Sequence, residues 1–221
     1  MKIIKLNNIW KIFNAKKQNE VQAVQGINLE IEQGDFVSII GPSGSGKSSL
    51  MHIIGLLDKP DKGTYLLNNQ EVNNLKDNEI SKLRSLKIGF VFQSFNLLSR
   101  TSAINNVILP LIYQKTPNRK EIALEKLKEV GLAKRIYHKP NELSGGEQQR
   151  VAIARALAAN PEIILADEPT GNLDSKSGKE IMKIFKKLNE QGKTIIIVTH
   201  DLNVAKQAKR IINLQDGKIK K

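Results

Sequence analysis

The chain has no cysteine, which excludes disulfides and thiolate metal centres. It also has no apolar run near the roughly 18 residues of a membrane-spanning helix. Its richest stretches, FVSIIG and TIIIVTH, have the length of buried strands. The start, MKIIKLNNIWKIF, is broken by Asn7, Asn8 and Lys11 and lacks the apolar core of a signal peptide. Together these absences read as a cytoplasmic protein. Acidic residues are in the minority, 22 against 35 Lys+Arg, for a net charge of +13. The lysines are dispersed, and no basic stripe is interleaved with aromatics, as a nucleic-acid surface would require. The charge therefore reads as a solvated surface; a basic protein working against a membrane also fits, and no nucleic-acid partner is expected.

What is present is ordinary for a globular chain: 221 residues, 40% hydrophobic and 26% charged, enough for one core or a core plus a smaller subdomain. IIKLNNIWKIF and VQAVQGINLEIEQGD read as strands with a loop between them, EQGD being a turn. FVSIIG (36–41) is a continuous apolar strand, and GPSGSGKSSLMHIIGLL is a glycine loop running into a helix. A turn and short strand (KPDKGTYLLNNQEV), a short helix (DNEISKLRS) and the strand KIGFVFQ (87–93) follow. From about Ser94 to Ala158 the pattern is mostly helical. NRKEIALEKLKEVGL places Ile122, Leu124, Leu127 and Val130 near helical spacing before Gly131 stops it. GEQQRVAIARALAAN is a second helix, ended by Asn160 and Pro161. Then come the strand EIILADE (162–168), the helix SGKEIMKIFKKLNEQG, the strand TIIIVTH (194–200) and a helix near 201–209. In RIINLQDGKIKK, Asp216-Gly217 signals a hairpin turn. Alternating strands and helices argue for an α/β fold, a mainly parallel sheet covered on both sides and interrupted by a helical insert.

GPSGSGKS fits G-x-x-x-x-G-K-[ST] at Gly41, Gly46, Lys47 and Ser48, between an apolar strand and a helix. Backbone N–H groups of such a loop, here over Ser43, Gly44 and Ser45, wrap phosphate oxygens because no side chains intervene. Lys47 is expected to reach the β- and γ-phosphates, Ser48 to bind Mg²⁺, and Ser49 to lie near phosphate. IILADEPT is an apolar strand ending in two acids, Asp167 and Glu168. Buried strands do not end in adjacent carboxylates without a partner, and hydrated Mg²⁺ is a natural one for Asp167. Glu168 is placed to act as general base on an attacking water. His200, ending TIIIVTH, and Gln93, ending GFVFQ, stand at strand ends where ligands of open α/β folds bind. His52 and His138 read as packing or surface. Ser144-x-x-Glu147 fits a capping box ahead of a helix. The box does not explain Gly145 and Gly146, which bare backbone N–H groups at the positive end of a helix dipole, where a phosphate fits.

Taken in order, the phosphate loop, Gln93, LSGGEQQR, ILADEPTGNLD and His200 resemble the ATP-binding subunit of an ABC transporter over essentially the whole chain. GLLDKPDKG, IGFVFQSFNLL, VILPLIY and ADEPTGNLDS are similar to the branch containing macrolide exporters and the lipoprotein-release ATPase. The resemblance implies a RecA-like P-loop core with a mainly parallel sheet, a small antiparallel β subdomain and an inserted helical subdomain. The whole of 1–221 would be one ATPase domain, with the core at about 1–93 and 159–221 and the helical part at about 94–158. It implies ATP and Mg²⁺, with Phe13 stacking on adenine ahead of the neighbouring Trp10, and Gly41 to Ser49 as the Walker A region. Gln93 becomes the Q-loop glutamine sensing Mg²⁺ and the membrane partner, and Ser144 to Glu147 the signature motif. Asp167 and Glu168 become the Walker B aspartate and catalytic glutamate, Asn172, Leu173 and Asp174 the D-loop, and His200 the switch histidine. Two copies would dimerise head to tail, each signature capping ATP held by the other's Walker A. The chain would sit peripherally on the inner face of the membrane through a separate permease, with efflux implied over uptake.

Two departures stand out. The signature reads LSGGE where the family more often has glutamine, and LLSRTSAINNV differs from the usual wording after the Q-loop. Two other classes compete: a soluble ABC ATPase acting on nucleic acid or the ribosome, and a P-loop enzyme phosphorylating a small molecule. The first usually carries coiled-coil insertions or paired ATPase units, which this chain lacks; the signature and His200 argue against the second.

Overall fold

The computed structural model describes residues 1–14 and 20–220. The loop expected between the first two strands, at 15–19, lies outside the described residues. The chain divides into two compact units, Met1–Arg84 with Ile196–Lys221, and Ser85–Ile195.

The first unit opens with β1 (Lys2–Phe13) and β2 (Val21–Glu32), which pair antiparallel with Ile4 opposite Ile31 and Leu6 opposite Leu29, all four buried. EQGD forms the expected turn, with Gly34 at φ 81°. β3 (Phe36–Ile40) is buried at all five positions, as a strand covered on both faces must be. After the glycine loop comes α1 (Lys47–Ile54), which buries Leu50, Met51, Ile53 and Ile54. β4 (Lys62–Leu67) and β5 (Gln70–Glu71) complete an antiparallel sheet ordered β2-β1-β4-β5. α2 (Asp77–Lys87) then runs across the division.

In the second unit, β6 (Ile88–Val91) stops two residues before Gln93, which therefore stands in the turn beyond the strand. Three helices follow and pack on one another: α3 (Ala103–Tyr113), α4 (Arg119–Glu129) and α5 (Gly145–Ala158). In α4 the small Ala123 takes the buried place beside Leu127, leaving Ile122 and Leu124 half-buried, and Gly131 ends it at φ 79°. The LLSRTSAINNV segment is organised by Asn106, fully buried on α3. Its Oδ1 accepts from the Leu98 N–H at 2.7 Å, and its amide donates to the Thr101 hydroxyl at 2.9 Å and the Ser102 carbonyl at 3.0 Å. β7 (Ile163–Asp167) runs parallel to β6. α6 (Ser175–Glu190) buries Ile181, Met182, Phe185 and Leu188 along one stripe. β8 (Thr194–Thr199), wholly buried, crosses the division, and His200 follows its last residue.

Back in the first unit, α7 (Leu202–Ala205) is shorter than the helix expected over 201–209. The next turns tighten, Gln207 and Ala208 donating to carbonyls three residues back, and the Lys209 N–H already donates to Phe36 on β3. β9 (Arg210–Gln215) lies parallel to β3 and antiparallel to β10 (Lys218–Lys220). Asp216 at φ 50° and Gly217 at φ 75° make the expected tight turn between them. Parallel strand pairs, a separate antiparallel sheet and the helices make this the expected α/β fold.

Candidate functional site

In the first unit the loop from Gly41 to Lys47 is fastened from behind and open in front. A Cβ at Gly41 would stand 2.1 Å from the Leu214 carbonyl oxygen, and one at Gly46, at φ 97°, 2.1 Å from the Ala23 carbonyl oxygen. Gly217 N–H donates to the Ser45 carbonyl at 3.0 Å, and Gln25 N–H to the Gly217 carbonyl at 2.8 Å, tying loop, hairpin turn and β2 together. Gly44 differs: at φ 78° its Cβ position meets nothing within 4 Å, so its backbone is presented bare. The Lys47 ammonium donates to the Gly41 and Pro42 carbonyls at 2.7 and 2.8 Å, above its own loop. α1 starts at Lys47 with no side-chain cap and no acid in its first turn. Its positive end and free N–H groups suit an anion. Ser43 and Ser48 are exposed and Ser49 half-buried, whereas Ser45 is buried with its hydroxyl turned inward. Gly41, Pro42 and the exposed His200 line one open cavity of about 410 Å³.

Phe13, the last residue of β1, is 43% exposed. Lys11 stands 5.6 Å from its ring centroid, itself held by Asp58 at 2.8 Å. Trp10 is half-buried, and its indole N–H donates to Asn8 Oδ1 at 3.0 Å.

In the second unit, β7 ends at Asp167 and the chain turns sharply at Glu168, whose φ is 44°. A non-glycine residue in the left-handed region costs about 1–3 kcal/mol and must be held by its surroundings. Part of the hold is visible: Glu168 C=O accepts from Gly171 N–H at 3.0 Å, and the fully buried Gln149 of α5 donates to the Pro169 carbonyl at 2.7 Å. Gln93 and Asn172 bond reciprocally, Gln93 Nε2 to Asn172 Oδ1 at 3.2 Å and Asn172 Nδ2 to the Gln93 carbonyl at 3.1 Å. A Cβ at Gly171 would stand 2.7 Å from Gln93 Nε2. The structure thus brings the Gln93 turn and the Gly171–Asp174 loop together, a pairing invisible in the sequence.

Asp174 caps α6, accepting from Lys176 and Ser177 N–H at 3.0 and 2.9 Å and from the Ser177 hydroxyl at 2.6 Å. That hydroxyl, with the backbone bonds, holds the Asp174 carboxyl below the usual carboxylate range. Ser144 and Glu147 form the expected capping box on α5: Ser144 Oγ accepts from Glu147 N–H at 3.3 Å, and Glu147 Oε2 from Ser144 N–H at 2.9 Å. The Glu147 carboxyl is lowered chiefly by that Ser144 N–H, then by the Ser144 hydroxyl and Arg135, against partial burial. Gly146 has a packing reason as well, since a Cβ there would meet the Ser177 hydroxyl at 2.9 Å. Ser48 in the first unit, and Gln93 and Asp167 in the second, each carry an oxygen of the kind a hard cation prefers. Among the described residues, no three or more His, Asp or Glu side chains are gathered into a metal cluster. Nor is any helix of the described residues long and apolar enough to cross a membrane.

The ABC transporter family model matches residues 24–171. An ABC transporter ATP-binding protein of Thermotoga maritima is 51% identical, over 99% of this chain and 94% of its own length. The chain belongs to the ABC transporter family. Its ABC-type ATPase domain is 59% identical, over 90% of this chain, to the macrolide export ATP-binding/permease protein MacB of Bdellovibrio bacteriovorus, of which the match spans 31%. The solved dimeric ATP-binding cassette MJ0796, in a post-hydrolysis state bound to ADP and Pi, superposes with a TM-score of 0.89 at 52% identity, over 99% of this chain and 97% of that one. MJ0796 is a protein of Methanocaldococcus jannaschii. These relatives place the ABC ATPase in the branch that its local wording indicated. Sequence reasoning about this ATPase missed Asn172 as the partner of Gln93, Gln149 as the support behind Glu168, and Arg135 as the partner of Glu147. Arg135 comes from the segment between α4 and α5, where only the fold reveals the pairing.

Proposed function

We propose that this chain binds and hydrolyses ATP to drive a separate membrane permease, for export of a drug, antimicrobial peptide or lipoprotein. The observation that carries the reading is the phosphate loop: an open Gly44 backbone, and a Lys47 ammonium held on the Gly41 and Pro42 carbonyls of the same loop, at the uncapped start of α1. In this reading residues 1–221 act as one ATPase domain, with about 94–158 as its helical part. Gly41 to Ser49 cradle the triphosphate and Phe13 stacks on adenine; its exposed ring supports that role over the half-buried Trp10. Ser48, Gln93 and Asp167 would hold Mg²⁺, which would supply charge neutralisation for the phosphate oxygens. Glu168 accepts a proton from the attacking water, and Lys47 and His200 stabilise the charge that develops on the γ-phosphate. Ser144, Gly145, Gly146, Glu147 and Asp174 complete the site from a second copy arranged head to tail. The dimeric MJ0796 cassette and the joining of ATPase and permease in MacB support both partners. The chain would then lie on the inner face of the membrane through its permease.

The test is Glu168→Gln. It is expected to bind ATP, to lose turnover by about 10²-fold or more, and to accumulate as an ATP-bound dimer in size-exclusion chromatography. Full turnover by this variant would remove Glu168 from the chemistry.

A further inference from the structure

The fifth signature position is a carboxylate here, and the structure shows what it does to the serine. The Ser144 hydroxyl donates to Glu147 Oε2 at 2.9 Å, the same oxygen that accepts the Ser144 N–H at 2.9 Å. The one proton that Ser144 could offer to an incoming phosphate is therefore already given to a negative group of its own chain. The other carboxylate oxygen, Oε1, accepts from Arg135 Nε at 3.1 Å. Arg135 is in turn steadied by His138: Arg135 Nη1 lies 3.2 Å from His138 Nε2, which must be the acceptor because a guanidinium only donates. This segment is anchored on α3, where Ala103 and Ile104 N–H donate to the His138 and Ile136 carbonyls at 2.8 and 3.0 Å. The Glu147 side chain is 19% exposed and that of Arg135 48%, so the carboxylate faces the N-terminus of α5 while the guanidinium backs it from the solvent side.

Two consequences follow for an anion arriving at Ser144. It must win the hydroxyl proton from Glu147, and it must approach a carboxylate of like charge. Arg135 weakens both objections by sharing that carboxylate's charge. We propose that Glu147 and Arg135 together set how readily Ser144 accepts the phosphate of a nucleoside triphosphate held by a second copy of this chain, Glu147 opposing and Arg135 permitting. Glu147 is itself part of that shared site and Arg135 is a positioning residue behind it, both acting on the phosphate through Ser144, and the proposal rests on the shared-site reading above. A glutamine at 147 would keep the capping acceptor for the Ser144 N–H while removing the charge.

The experiment titrates ATP into full-length Glu168→Gln protein and follows the dimer fraction by analytical ultracentrifugation, with thermal unfolding measured on the same samples. Adding Glu147→Gln is expected to lower the ATP concentration at half-dimerisation by about tenfold, the scale of exchanging one charge-assisted hydrogen bond for a neutral one. Adding Arg135→Ala is expected to raise it several-fold, and Arg135→Lys to recover most of that loss. In the presence of Glu147→Gln, Arg135→Ala should shift the midpoint by no more than about twofold. A role limited to supporting the fold would give Arg135→Ala the same shift in both backgrounds, and that result overturns the proposal. So does a midpoint that Glu147→Gln raises or leaves alone. If Glu147→Gln does not fold, equal midpoints for Arg135→Ala and the parent overturn it instead. A Glu168→Gln parent that forms no dimer with ATP overturns the shared-site reading itself, and is recognised because it fails before any second substitution is made.

Discussion

A methyl group added at Gly46 would meet the Ala23 carbonyl oxygen at 2.1 Å, while one added at Gly44 would meet nothing within 4 Å. Both residues lie in the left-handed region, at φ 97° and 78°, so alanine at either carries a backbone cost of about 1–2 kcal/mol. Only at Gly46 does a steric clash with β2 add to it, by about 1–3 kcal/mol or more. Gly44→Ala is therefore expected to lower Tm by a few degrees yet lose most ATP binding, since the methyl fills the open face of the loop. Gly46→Ala should lower Tm about twice as far or more, at roughly 2–4 °C per kcal/mol for a chain of this size. Thermal unfolding beside nucleotide titration checks both; equal Tm losses would contradict the packing described for Gly46. At this scale the motif was legible, because G-x-x-x-x-G-K-S constrains local backbone alone. Which glycine is left open and which is packed was not, because Ala23 and Leu214 reach the loop from distant strands. Nor was the left-handed turn at Glu168, which no residue type announces.

Whole elements were read well wherever the signal was local. The capping box of α5, the stop at Gly131 and the Asp216-Gly217 hairpin are set by residues within four positions of one another, and each is as expected. The errors fall where tertiary contact decides. α7 ends early because Lys209 is already bonded to β3, and Gln93 leaves β6 to bond with Asn172. The glycines after Ser144 are the mixed case: their bare N–H groups suit an anion, and Gly146 also lets α5 close on Ser177 of α6. Gln149 makes the same point from a polar side chain. It is fully buried at the interior of α5, and its amide donates to Pro169 at 2.7 Å. Gln149→Leu leaves that carbonyl without its donor and is expected to destabilise by about 1–3 kcal/mol. The residue before Pro169 is Glu168, at φ 44°, so kcat should fall while KM for ATP stays near the parent value. Chemical denaturation and steady-state kinetics read the two effects separately, and an unchanged kcat would detach Gln149 from the Glu168 turn.

At the scale of the whole molecule, LSGGEQQR is the feature that one copy of the chain explains only in part. Its helix begins with an exposed serine, two glycines and a positive dipole end, an arrangement that suits phosphate. Yet the chain already presents another glycine-rich loop suited to phosphate, at the start of α1. If the two served separate ligands, a bulky cation at Ser144 would leave turnover at the first unaffected. If each serves the nucleotide of the other copy, the same substitution stops hydrolysis in both sites without touching the residues that bind ATP in a single chain. Ser144→Arg separates these cases. The new side chain also removes the N-cap, for about 1 kcal/mol, which is too little to unfold a domain of ordinary stability. The expected outcome is loss of ATPase activity to background, with ATP affinity of the dilute monomer within about twofold of the parent, a shift smaller than 0.5 kcal/mol. Equilibrium binding of a fluorescent ATP analogue at low protein concentration, beside phosphate release at high concentration, measures both. Loss of monomer binding would place Ser144 in its own chain's nucleotide site, and undiminished hydrolysis would remove the second copy from the reaction.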